Sequence, residues 1–245
     1  MTNKKYFSRL IALVAMVMLV PLTGFAQDDG PGYIQVRTMF VKSGRIGDFL
    51  ELQAEFAKAG KAAGLSRDFW QEVRGENGAF HAVRSIDKLA ENDAGFQAPM
   101  EGEAWDKWIA AFNDTVDRST YQVLRVQPGH DIPAAEGSET NLMLLRYRTV
   151  APGRGRDYSA WIENDLLPAV RKGDFQGFSY VKMHMGGNPN TWISATRYPN
   201  WAAMDDTGIF SHMSGEEISA LLRKSNDMVV DSEVKILRYR TELSF

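Results

Sequence analysis

The chain has no cysteine. That excludes disulfide staples, thiolate metal sites and lipid attachment at a cysteine, so stability must come from an ordinary packed core. Histidine is scarce, with four in 245 residues. No HxxxH pair, GxSxG elbow, Walker loop or carboxylate cluster with ligand spacing accompanies them. The 28 basic residues do not outnumber the 31 acidic ones, so the electrostatic footprint of a nucleic-acid binder is missing. After the first two dozen residues no apolar run approaches the ~20 residues that a spanning helix needs.

Those first residues stand apart. "MTNKKYFSRL" carries Lys4, Lys5 and Arg9, "LIALVAMVMLV" is apolar, and "PLTGFAQDD" brings small residues before a polar start. A positive head, a short apolar middle and a small-residue exit describe a secretory signal peptide over residues 1–26, cleaved after Ala26. The mature chain is then periplasmic or secreted, with no stable membrane insertion. Loss of three basic residues deepens the formal charge of −3.

What the mature region contains is a repeat, and repeats decide architecture. "YIQVRTMFVKSGRIGDF" at 33–49 aligns with "LMLLRYRTVAPGRGRDY" at 142–158, placing Arg37 on Arg146, Gly44 on Gly153 and Asp48 on Asp157. "QVLRV" at 122–126 answers "KILRY" at 235–239. Each copy opens with an alternating strand, 33–41 or 142–150. A Gly-Arg turn follows, with Asp48 or Asp157 as the expected helix N-cap. Helical spacing comes next, at Phe49, Leu52 and Phe56, or at Tyr158, Trp161, Ile162, Leu166 and Val170. Pro168 predicts a kink or early stop there.

Hairpin strands are expected at 69–74 and 80–85, and at 179–185 and 191–197. Second helices carry the Trp105, Trp108, Ile109, Phe112 stripe and the Ile218, Leu221, Leu222 stripe. Closing strands lie at 121–127 and 234–241. The order βαββαβ, occurring twice, is the ferredoxin-like arrangement. The expected fold is α+β, with half-barrels at 27–132 and 141–245 and a linker at 133–140. Each unit's bare sheet face should be buried against the other, so no oligomer is required to complete the barrel.

In this element order and duplication the chain resembles the dimeric α/β-barrel superfamily, with two protomers fused in tandem. That superfamily includes antibiotic-biosynthesis-type and haem-degrading monooxygenases, stress-responsive barrel proteins and NIPSNAP-like proteins. The resemblance implies a barrel that holds a small molecule.

Strand parity sorts the side chains. The greasier set (Ile34, Val36, Phe40, Met143, Leu145, Val181, Met183) is expected under the helices. Arg37, Arg146, Arg148, Trp70, Glu72, Tyr180, Lys182, Phe80, Trp192, Arg125 and Arg238 would then enter the lumen with His184. Arginine forks suit a carboxylate, enolate or phenolate, so Arg37, Arg146, Arg148, Trp70, Tyr180 and Trp192 are candidate contacts for a small anionic or aromatic ligand. His184 is the candidate general base, since histidine titrates near neutrality. His81 is expected on the helix side and His130 in the turn-rich stretch 128–140 that runs into the linker. No metal site is expected, because His184 points away from Met183 and Met185 on one strand. The sequence names no cofactor. Haem is an alternative through the resemblance, whose haem-degrading members use an Asn, a Trp and a His; Asn141, Trp192 and His212 occur in that order, with His184 or His212 as axial ligand.

Two function classes stay open. One is an exported enzyme of the cofactor-independent monooxygenase or isomerase kind. The other is a non-catalytic exported ligand-binding or interaction protein. The leader makes the first prediction: N-terminal sequencing of exported material should begin at Gln27, and an intact Met1 would overturn the assignment.

Overall fold

The two Gly-Arg stretches are the same turn used twice. Gly44 and Gly153 hold φ of 78° and 83°, a region that an L side chain adopts only under strain. Each hands a strand to a helix: β1 (Tyr33–Val41) to α1 (Ile46–Ala62), and β5 (Leu142–Val150) to α3 (Gly155–Trp161). The aspartates do not cap, contrary to expectation. Asp48 and Asp157 lie inside the first turn. Each instead receives the arginine of its own turn, Arg45 Nε at 2.6 Å and Arg154 Nε at 2.8 Å. A negative charge there still suits the helix dipole.

The computed structural model describes residues 32–134, 136–173, 177–206 and 208–245; the expected leader lies outside them. Within the unit Pro31–Phe245, the first half continues with β2 (Asp68–Arg74), β3 (Ala79–Ile86), α2 (Gly102–Thr115) and β4 (Val116–Ile132). In the second half a π-helical turn (Ile162–Leu166) and α4 (Leu167–Val170) extend α3, followed by β6 (Phe178–Met185), β7 (Thr191–Tyr198), α5 (Trp201–Asp206), α6 (Gly215–Asn226) and β8 (Val229–Tyr239). Pro168 neither stops the helix nor simply bends it. Lacking an N–H, it leaves an i−4 acceptor free, and the turn just before it widens, with Leu167 N–H donating to Ile162 O. β4 starts as α2 ends and runs on to Ile132, just short of the expected linker, so that His130 lies in a strand.

The eight strands close into one antiparallel barrel in the order β1-β3-β2-β8-β5-β7-β6-β4. Each half contributes the same run, fourth-first-third-second strand. Closure depends on two seams between halves, β2 with β8 and β4 with β6. The halves thus meet edge to edge around a lumen, rather than as two sheets stacked face to face.

That geometry reverses the expected facing. The lumen is filled by Leu124, Val181, Met183 and Ile193, with Ile34, Val36, Val126, Leu145 and Tyr147 against them. Eight strands leave an interior only wide enough for side chains, so the apolar set goes inside. Arg37, Arg146, Arg148, Tyr180, Lys182, Phe80, Trp192, Arg125 and Arg238 therefore fall on the outer face, by alternation with these residues. On that face Phe80 packs with Phe49, Phe56, Phe69, Trp108 and Phe112 in one helix-side core. Tyr180 and Trp192 pack with Tyr158, Trp161 and Leu166 in the other. Trp70 does face inward, paired across the sheet with His81 and Tyr239. His81 is inside rather than under the helices.

One polar group crosses this apolar interior. The Glu72 side chain is 0% exposed, with His81 Nε2 3.2 Å and Lys235 Nζ 3.5 Å from its Oε2. The Glu76 backbone N–H donates to the same carboxylate. Burial alone would raise its pKa; the hydrogen bonds from His81 and Glu76 and the charge of Lys235 outweigh it and hold the acid below its ordinary 4.5. A depressed carboxyl stabilises the fold above the unfolded pKa, and that contribution is lost as pH falls through the folded value. Glu72→Gln should cost about 3 kcal/mol at neutral pH by removing the buried charge that His81, Lys235 and the Glu76 N–H all face. Urea unfolding at pH 7 and pH 3 should show the gap from the parent narrowing in acid. A gap of constant size would refute the assignment.

Candidate functional site between sheet and helices

A cavity of about 590 Å³ opens on the outer face of the second half's sheet. Its floor is Arg146, Arg148, Tyr180 and Thr196; its roof is Leu166, Ile218 and Leu222, with Ile209 and Phe210 at the side. β5 supplies both arginines because i and i+2 on a strand share a face. The π turn carries Leu166 into the roof, and such widened turns recur at functional sites.

Behind the floor stand two fully buried phenols. Tyr158 and Tyr180 are 0% and 1% exposed, with their oxygens 2.6 Å apart. Arg148 Nη1 donates to the Tyr158 oxygen at 3.4 Å. Burial, reinforced by Tyr158, pushes the Tyr180 hydroxyl well above its usual value, so it stays a protonated donor. Burial also works against the charge on Arg148, but the two phenol oxygens more than offset it and its pKa rises. Arg146 moves down, through burial and then the like charge of Arg148. Beside them, burial raises the Tyr198 phenol against the opposing pull of Arg146. Two guanidinium groups in an aromatic-walled recess hold an oxyanion well. Among the described residues no histidine lines this cavity, and the one carboxylate that does, Asp205, is exposed.

The corresponding place in the first half is chemically different. Sheet register matches Arg148 and Trp192 with Met39 and Phe80, and Tyr180 with Phe69. Tyr158 follows Asp157 as Phe49 follows Asp48. The first half therefore has Met and Phe where the second has Arg, Tyr and Trp. Its space is packed by rings, Phe49 lying 4.9 Å from Phe80 and 6.3 Å from Phe112. Arg37 lies over Phe112 at 4.9 Å. Phe245 closes this half from the far end of the chain, its backbone exchanging hydrogen bonds with that of Arg67. The Arg67 guanidinium sits over Phe56, Phe69 and Phe245, where burial pushes its pKa down to about 9.

Of the sequence candidates, Arg146, Arg148 and Tyr180 converge on the cavity, and Trp192 packs behind it with ring centroids 5.8 Å from Tyr158 and 6.0 Å from Tyr180. Arg37 and Trp70 are elsewhere. His184 is exposed at its strand end, its ring 5.3 Å from Tyr33, and it lines no part of this site. Asn141 is exposed and gives its amide to Pro199 O, and His212 is exposed, so Asn141, Trp192 and His212 do not gather around a shared space. His130 is buried in β4, 3.6 Å from Glu163, and burial lowers its pKa. Among the described residues no group of three or more His, Cys, Asp or Glu is placed to hold a metal ion, and no helix is long and apolar enough to cross a membrane. Sequence reasoning missed Tyr158 as a site residue. Its signal was available, a tyrosine where the repeat has Phe49.

No family model matches the chain, and no curated protein matches it. Solved structures do. A candidate monooxygenase from Lactobacillus acidophilus NCFM superposes with a TM-score of 0.58 at 12% identity, over 88% of this chain and 99% of its own. One from Fusobacterium nucleatum gives 0.57 at 12% identity, over 84% and 91%. An anthrone oxidase-like protein gives 0.56 at 14% identity, over 86% and 92%. At such identities the likeness establishes the fold, that of the dimeric α/β-barrel proteins.

The phenol pair makes a local prediction. Tyr180→Phe should cost about 1 kcal/mol in denaturant unfolding, the net worth of one hydrogen bond. Unchanged stability would mean that the two hydroxyls do not depend on each other.

Proposed function

We propose that this is an exported, monooxygenase-like small-molecule-binding protein whose barrel is two fused copies of one ferredoxin-like unit. Its ligand is a small aromatic or enolic compound held as an oxyanion in the helix-side cavity of the second half. The observation that carries the reading is the convergence of Arg146, Arg148 and the Tyr158–Tyr180 pair on one recess. The first half has Met39, Phe49 and Phe69 where the second has Arg148, Tyr158 and Tyr180, and keeps only Arg37 at the place of Arg146, so the fold itself does not demand the second arginine or the phenol pair. Export rests on the leader, and the duplication on the repeated sequence.

The likeness to monooxygenase candidates and to an anthrone oxidase-like protein suggests the chemistry. Two arginines that stabilise a phenolate or enolate make the ligand easier to deprotonate and more electron-rich toward dioxygen. Oxidation of anthrone by O₂ to anthraquinone and water is a balanced reaction of this type. A second reading, binding without turnover, is favoured by one observation: among the described residues, no histidine or buried carboxylate lines the cavity as a base.

Both readings share a binding test. With 2-naphthoate as the probe, Arg148→Met should weaken affinity by about tenfold or more, the worth of a hydrogen bond to a charged group. Equal affinity in parent and variant would remove the cavity from consideration. O₂-dependent anthrone oxidation that falls with Arg148→Met supports the enzyme; intact binding with no turnover supports the carrier.

A further inference from the structure

The lumen holds a second, smaller cavity whose chemistry is the opposite of the first. It measures about 240 Å³ and opens at one end of the barrel, lined from β1, β3, β4, β5, β6, β7 and β8. Strand alternation separates it from the arginine site, since each sheet lies between the two. No arginine among the described residues lines it.

Its floor is a finished hydrogen-bond network. Glu72 accepts from His81 Nε2 at 3.2 Å. With that nitrogen protonated, Nδ1 is an acceptor, and Thr38 Oγ1 lies 2.9 Å from it. Thr38 and His81 are 7% and 4% exposed. In that tautomer the Thr38 hydroxyl donates to His81, and its oxygen remains an acceptor on the cavity wall.

The groups left over at the mouth are acceptors too. Asp231 lines the cavity and is in none of the ion pairs. Glu233 is paired only with Lys235, at 3.4 Å. Among the described residues that line the cavity, Asp231 and Glu233 thus meet one lysine, Lys235, which is shared with Glu72. That ammonium also lies 5.9 Å from the centre of the Tyr147 ring, so the wall already accommodates a positive nitrogen against a π face. At the same mouth the hydroxyls of Thr149 and Thr191, at the ends of β5 and β7, bond each other at 3.3 Å and make a polar girdle.

We propose that this lumen mouth is a second ligand site, selective for a small hydroxylated organic cation of the amino-alcohol class. The ligand's ammonium would lie between Asp231 and Glu233 and its hydroxyl against the Thr38 oxygen. An anion is disfavoured by the acid surplus, and a purely apolar molecule by the threonine girdle.

Three probes of nearly one shape and different charge test this: ethanolammonium, ethylene glycol and glycolate. Calorimetric titration of the full mature chain, in a buffer free of amines, should give saturable 1:1 binding of ethanolammonium. Its affinity should exceed that of ethylene glycol by about tenfold, with glycolate not bound at up to about 50 mM, a range suited to ligands of so few atoms. The pair of changes Asp231→Asn and Glu233→Gln, both at exposed rim positions, should weaken ethanolammonium by about tenfold at an unchanged melting temperature. Thr38→Val should weaken ethanolammonium more than it weakens ethylammonium, which lacks the hydroxyl. No saturable ethanolammonium binding, binding of glycolate as tight, or indifference to the Asp231 and Glu233 changes would overturn the proposal. The 2-naphthoate result bears on the other cavity and is read separately.

Discussion

The structure depends on the closure of the two seams. A four-stranded sheet with helices on one side has two open edges and a bare face. Edge strands with unpaired N–H and C=O groups invite association. Pairing β2 with β8 and β4 with β6 removes every edge at once, and it turns two bare faces into one lumen. Closure also fixes how wide that lumen is. Eight strands admit side chains and little else at mid-height, so β-branched and long apolar residues have to fill it. The charged and aromatic residues of the same strands are then forced outward, to the space between sheet and helix. Both cavities follow from this single constraint, one where the helices stand off the sheet and one where the lumen widens to its mouth.

The two halves share one frame and use it differently. In the first, Met39, Phe49, Phe69 and Phe80 make a solid aromatic core that Phe245 and Arg67 close. In the second, the matching positions are Arg148, Tyr158, Tyr180 and Trp192. Burying two phenols and a guanidinium costs several kcal/mol in desolvation unless they satisfy each other. The short contact between the phenols and the donation from Arg148 supply that partnership. The Trp192 Nε1 remains without a partner. A core that carries such groups where its sister carries Phe and Met is less stable than it could be, a pattern found where a site is placed at the expense of packing.

Much of this fold was legible in the sequence because its signals are local. The Gly-Arg turns, the alternating runs and the helical stripes each depend on neighbouring residues, and the repeat let each half check the other. Facing was not legible. Alternation separates Arg37 from Val36 but does not say which of the two looks inward, and the usual rule that the greasier set lies under the helices fails once a sheet closes on itself. That single inversion sent Arg146, Arg148, Tyr180 and Trp192 to the wrong side while leaving them together. Same-face neighbours stay neighbours whichever way the face points. The widened turn before Pro168 was illegible for a different reason, since a missing N–H can be answered by a stop, a bend or a π turn, and helix packing chooses among them.

Charge is what keeps the two sites distinct. On the strand β5, Arg146 and Arg148 face the helices while Tyr147 and Thr149 face the lumen. One strand thus supplies the cationic floor of one cavity and the wall of the other. The acids Asp231 and Glu233 lie on the neighbouring strand β8, whose register sets Asp231 opposite Thr149 and Glu233 opposite Tyr147, so they too face inward. On the two readings proposed above, the arginine recess would favour an anion and the acid-lined mouth a cation, each by the sign of its nearest charges. Opposed signs would then sort two ligands between cavities cut from the same strand.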